Sequence, residues 1–174
     1  APVVMARLRQ IGITRLIMLS GDHQRVAEAV SSAVGLTEAR GDLMPEDKVT
    51  AIVALRAEAG KVAMVGDGVN DAPALALATI GIAMGAAGTD VALETADVVL
   101  MADELSNIAY AIKLSRHARR VVWQNIIFAL GVIAVLAIST FVVHLPLPFG
   151  VVGHEGSTLI VVTNGLRLLT YRGK

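Results

Sequence analysis

Met64-Val65-Gly66-Asp67-Gly68-Val69-Asn70-Asp71-Ala72-Pro73 joins an apolar run to a helix through a turn that carries two carboxylates. The run from Lys61 to Val65 predicts a buried strand. Gly66-Asp67-Gly68 then allows a tight turn and a close backbone approach to a ligand. Asp67 falls on the turn, and Asp71 falls four residues on, in the first turn of the next helix. Hard oxygen donors at the carboxyl end of a strand suit a Mg²⁺ that itself holds a phosphate. Taken singly, Asp and Asn in such places also cap helices and close turns. The whole string favours the metal.

Outward from this turn, periodicity and punctuation predict alternating elements. Helices are expected at Pro2 to Gln10, Gln24 to Val34 (closed by Gly35) and Pro45 to Ala59 (closed by Gly60). Short strands are expected at Arg15 to Leu19, Lys61 to Val65, Ile80 to Ala83 and Asp97 to Leu100. That alternation predicts an α/β fold, a parallel sheet with helices on both faces. Residues 1–104 make one expected domain, a partial Rossmann-like one, and residues 105–174 the other.

Charge separates the same two parts. The chain is neutral overall, yet residues 1–104 hold 8 basic and 14 acidic side chains, and residues 105–174 hold 7 and 1. Val121 to Val143 runs 23 residues without Asp, Glu, Lys, Arg or His, enough for a bilayer-spanning helix of ~20 apolar residues. A second apolar stretch, from about Leu147 to Leu169, is broken by His154, Glu155 and Arg167. Lys113, Arg116, Arg119 and Arg120 precede the first stretch, Arg167, Arg172 and Lys174 close the second, and His144 to Pro148 holds no Lys or Arg. The positive-inside rule therefore predicts a hairpin with both ends cytoplasmic. The competing picture, two core helices of a soluble protein, fails because so small a domain has nothing to cover them. With no cysteine, disulfides and thiolate metal sites are excluded. No signal-peptide pattern, repeat, low-complexity segment or nucleic-acid-binding feature is present.

Gly66 to Pro73 resembles the GDGxNDxP hinge motif of the P-type ATPases, a branch of the haloacid dehalogenase (HAD) superfamily. Met18-Leu19-Ser20-Gly21-Asp22 resembles that family's (M/T)-L-(T/S)-G-D motif, and Met44-Pro45-Glu46-Asp47-Lys48 its P-x-x-K element. The three follow one another in the family's order. The resemblance implies a HAD-type phosphorylation domain followed by the last two transmembrane helices of a pump, with Mg²⁺ and ATP as cofactor and substrate. The implied setting is a multi-pass protein of the cell membrane with its α/β domain in the cytoplasm, working with the remaining domains of a longer parent.

Within that frame, Ser20 and Gly21 can aim a hydroxyl and N–H groups at a phosphoryl oxygen, with Asp22 completing the motif. Lys48 can supply a positive charge to the same group, Asp67 and Asp71 hold Mg²⁺, and Asn70 adds a hydrogen bond. Taken alone, without the neighbouring motifs, Lys48 reads more readily as a solvated surface charge. Such pumps phosphorylate an aspartate in D-K-T-G-T, which is absent here, Gly88-Thr89-Asp90 being the nearest string. The resemblance therefore implies a C-terminal portion that neither autophosphorylates nor transports by itself. An HAD phosphatase and a non-catalytic membrane-anchored domain are the rival readings.

An ionisable residue at membrane depth is a functional candidate, and His154, Glu155 and Thr158 lie close together on one helix. Imidazole and oxygen donors suit divalent ions such as Co²⁺, Ni²⁺ or Zn²⁺. The string His154-Glu155-Gly156-Ser157-Thr158, followed by Asn164 and Arg167-Leu168-Leu169, looks like the last helix of the cobalt-type heavy-metal (P1B) subgroup. Without the resemblance, His154 and Glu155 read equally as an interfacial pair reaching for water. Asn125 is a candidate to reach the same ion, or to serve as hydrogen-bonding glue between helices.

Overall fold

Two threonines set where the parallel strands begin. In the computed structural model, which describes residues 1–67, 70–84, 94–100, 104–144 and 146–171, the Leu16 N–H donates to Thr37 Oγ1 at 3.1 Å. The Val62 N–H donates likewise to Thr79 Oγ1 at 3.0 Å. A side chain thus takes the first rung of each ladder, and the strands start only afterwards. β1 is Ile17–Leu19 and β3 is Ala63–Gly66, each trimmed by two residues from its expected start. The helices α1 (Pro2–Gln10), α2 (Gln24–Val34) and α3 (Pro45–Ala59) keep their expected bounds. Gly35 closes α2 in the left-handed conformation, φ 77°, and Pro45 opens α3 while the Asp47 carboxylate accepts the Met44 N–H at 2.9 Å.

Between α2 and α3 lies a strand the periodicity did not announce, β2 (Glu38–Arg40). Glu-Ala-Arg has no apolar alternation. Its place comes from parallel pairing with β1, Ile17 opposite Glu38 and Leu19 opposite Arg40. Ion pairs reinforce it: Arg15 bridges Glu38 at 2.8 Å and Glu58 at 2.7 Å, and Arg40 meets Glu38 at 2.7 Å.

The rest of this unit is β3, α4 (Ala72–Leu77), β4 (Ile80–Met84) and β5 (Val98–Leu100). All pairings are parallel, but the one expected sheet is two among the described residues: β1–β2 and β3–β4–β5. β1 and β3 do not pair. Across that break Leu19 packs against the cluster of Ile52, Met64, Ala74 and Leu75. α4 sits tightly on β4, since a Cβ on Gly81 would lie 2.8 Å from the Leu75 carbonyl oxygen. The fold is the α/β one expected.

The contacts divide the chain into two compact units, Ala1–Ala109 and Tyr110–Lys174. α5 (Ser106–Val143) supplies most of the second, followed by α6 (Leu147–Leu166) and a 3₁₀ turn, Arg167–Thr170. Within this unit Asn125 meets Asn164, and a Cβ on Gly153 would meet Leu136 Cδ2 at 3.1 Å. The helices are therefore antiparallel. His117 stacks on Tyr171, ring centroids 4.8 Å apart. Among the described residues, α5 alone is long and apolar enough to cross a membrane. α6 is interrupted by the polar residues His154, Glu155 and Asn164.

Candidate functional site

Each of the first three strands ends at a Gly-Asp pair: Gly21-Asp22 after β1, Gly41-Asp42 after β2, and Gly66-Asp67 at the end of β3. Parallel strands bring these carboxyl ends to the same side of their sheets, the side where open α/β sheets bind ligands. The recurring Gly-Asp pair is a signal in the sequence, and Asp42 is the member that lies in none of the three motifs.

At the end of β1, Ser20 is buried. Its hydroxyl donates to Asp22 Oδ2 at 2.9 Å and accepts the Asp22 N–H at 3.1 Å. The expected hydroxyl contact to a phosphoryl group thus starts from a hydroxyl engaged with Asp22. The Gly21 N–H has no partner among the described residues and is the freer donor. Leu43 N donates to the Ser20 carbonyl at 3.1 Å, and α3 starts two residues later. That short path draws the first turn of α3, with Lys48, toward the end of β1.

Lys48 is not a solvated charge. Its Nζ lies 2.7 Å from Asp71 Oδ1, with side chains only 17% and 15% exposed. Asp71 itself is the N-cap residue of α4, one position before the helix rather than in its first turn. Its other oxygen lies over Gly66, where an added Cβ would come within 2.7 Å of Oδ2. Asp67 and Asn70 are exposed beside it, and Gly68 lies outside the described residues. Mg²⁺ is held by one or two carboxylates together with phosphate oxygens and water, seldom by an all-protein cage. Asp67 and Asp71 fit that pattern, and Lys48 balances the charge of the pair. No group of three or more His, Cys, Asp or Glu side chains gathers among the described residues.

Asp42 holds the loop beneath. It adopts φ 54°, and its carboxylate accepts the Gln24 N–H at 3.0 Å and faces His23 Nδ1 at 2.9 Å. Those two contacts, the Gln24 N–H first, keep its carboxyl below the usual range. Asp42 thereby supplies the N-terminal cap that His23 does not give α2.

In α6, His154, Glu155 and Thr158 are exposed. The hydroxyls of Ser157 and Thr158 both donate to the His154 carbonyl, at 2.6 and 3.2 Å. Asn125 does not join them: its Nδ2 donates to the Val161 carbonyl at 3.3 Å, and its Oδ1 accepts from Asn164 at 2.8 Å. It serves as glue between helices. Arg172, Lys174 and the string Gly88 to Asp90 lie outside the described residues.

A family model of haloacid dehalogenase-like hydrolases matches residues 1–79. The chain is 50% identical over 169 residues to a zinc-transporting ATPase of Bacillus subtilis (strain 168), covering 97% of this chain and 26% of that protein. It is 49% identical over 166 residues to a probable cadmium-transporting ATPase of Listeria monocytogenes, covering 95% and 23%. The crystal structure of a zinc-transporting PIB-type ATPase in the E2P state superposes with a TM-score of 0.84 at 41% identity, covering 96% of this chain and 27% of that one. The chain thus spans about a quarter of the length of these relatives.

Proposed function

We propose that this chain belongs to the P-type ATPases, in the heavy-metal (P1B) group, and works as the phosphoryl-holding and final membrane portion of an ATP-driven divalent-cation pump. The observation that carries the reading is the half-buried Lys48–Asp71 pair at the carboxyl end of β3, beside Asp67. In this scheme ATP phosphorylates an acceptor aspartate outside these 174 residues. Mg²⁺, held by Asp67 and Asp71, supplies charge neutralisation at the phosphoryl group. Lys48 adds positive charge, the Gly21 N–H binds a phosphoryl oxygen, Asp22 holds the Ser20 hydroxyl in place, and Asn70 contributes a hydrogen bond. The edges of β1 and β3 that are unpaired among the described residues, with Leu19 packed across the break, suit a further parallel strand carrying the acceptor.

α5 and α6 form the membrane hairpin of this reading, in the cell membrane, with the α/β unit on the cytoplasmic side where the basic residues lie. His154, Glu155 and Thr158 contribute ligands for the transported ion. The relatives named for zinc and cadmium support a divalent ion, and the imidazole–carboxylate donor set suits Zn²⁺, Co²⁺ or Ni²⁺. The cobalt-type assignment rests on the string His154 to Thr158 with Asn164 and Arg167.

The test is a chimera in which this chain replaces the matching 169 residues of the Bacillus subtilis relative. Asp67→Asn is expected to abolish Mg²⁺-dependent ATP hydrolysis. Glu155→Ala is expected to remove metal stimulation while leaving phosphorylation by inorganic phosphate. Unchanged metal activation in Glu155→Ala refutes the ion site, and the order of stimulation by Co²⁺, Ni²⁺, Zn²⁺ and Cd²⁺ assigns the ion.

A further inference from the structure

On α6 and the following turn lies an open groove of about 370 Å³, lined by Leu159, Ile160, Thr163, Asn164 and Arg167. Its walls are more apolar than the names suggest. The Thr163 hydroxyl is spent on the Leu159 carbonyl at 2.8 Å, which leaves its methyl for the groove. Leu159 and Ile160 are exposed.

Arg167 stands at one end. Its Nη1 donates to Asn164 Oδ1 at 3.1 Å, and Asn164 is in turn held by Asn125 of α5. The guanidinium is thus oriented by a relay rooted in the neighbouring helix, and its other N–H groups have no partner among the described residues. No side-chain carboxylate of this unit can fill that role. Glu155 is the sole acidic residue from 105 to 174, and twelve helical residues place it ~18 Å away along the axis.

We infer that this groove binds an anionic phospholipid, with an acyl chain along Leu159, Ile160 and Thr163 and the headgroup phosphate on Arg167. Two dimensions favour a lipid over a free anion. From Leu159 to Arg167 the helix rises ~12 Å, close to the ~15 Å of one hydrocarbon leaflet. An arginine fork at that depth sits at the headgroup level and matches phosphate geometry. The direction of the groove rests on the pump reading above. Thr163 follows His154 by nine residues and Arg167 follows Thr158 by nine, about two and a half turns each, so the Thr163–Arg167 side of the groove lies opposite those two proposed ion ligands, toward lipid.

The absence of cysteine allows a single label. Gly156, one turn before Ile160 on the same face, has open space where a Cβ would be. Gly156→Cys carrying a fluorophore, in nanodiscs of the 174-residue chain, reports quenching by lipids brominated on the acyl chain. Brominated phosphatidylglycerol is expected to bind about fivefold better than brominated phosphatidylcholine. That preference should vanish in Arg167→Gln, persist in part in Arg167→Lys, and survive Arg119→Gln and added inorganic phosphate. Equal quenching by the two lipids, a preference untouched by Arg167→Gln, a preference lost equally in Arg119→Gln, or competition by phosphate would each overturn the assignment. The readout needs neither ATP nor a transported metal, so a chimera without metal-stimulated turnover sinks the pump reading while the quenching ratio still judges the groove.

Discussion

Asp71 illustrates how much of a site one residue's surroundings decide. Its spacing from Asp67 was legible, because a strand followed by Gly-Asp-Gly and a helix start is a local pattern. That Lys48, 23 positions earlier, would close on it at 2.7 Å was not. Gly66 is the tight point. Its place under the Asp71 side chain leaves 2.7 Å to Oδ2 and 2.8 Å to Asp71 Cβ for any added methyl. Gly66→Ala is therefore expected to cost about 1–3 kcal/mol by overpacking. In combination with Asp71→Ala the two losses should fall short of their sum, because the second change removes Oδ2 and Cγ, two of the three atoms the added methyl meets, and leaves only Cβ. Chemical denaturation of the four variants measures this, and strict additivity would refute the contact.

Among the elements, β2 is the one that sequence pattern could not announce. Glu38 faces Arg15 and Arg40, and those guanidinium hydrogen bonds, Arg15 first, hold its carboxyl below the usual carboxylate range. A group whose folded value is depressed stabilises the fold above its unfolded value and loses that contribution as pH falls through the folded one. Glu38→Gln should lower the urea midpoint at neutral pH, and the gap to the parent chain should close below about pH 4. A gap that widens with acid would contradict the assigned cause. The strand starts tell a related story. Thr37 and Thr79 each take a rung that the backbone would otherwise fill, so apolar runs marked β1 and β3 correctly and began both two residues early.

At the scale of the molecule, the second unit carries its apolar side chains on the outside. Phe141, Val142 and Val143 on α5 are 83%, 71% and 72% exposed, which water tolerates poorly and hydrocarbon does not penalise. The full chain is expected to enter the detergent phase on Triton X-114 partitioning, and removal of residues 110–174 should return it to the aqueous phase. A full chain that stays aqueous would end the membrane assignment. The sequence alone determined the elements other than β2 and their order, the long uncharged run and the two acidic positions after β3, because periodicity, turn chemistry and length act over a few neighbouring residues. Only the tertiary structure decided that the sheet is broken between β1 and β3, that Lys48 meets Asp71, that Asp42 caps α2, and that Asn125 links through Asn164 to Arg167. Those contacts join residues far apart along the chain, and packing chooses them from many partners that no local pattern tells apart.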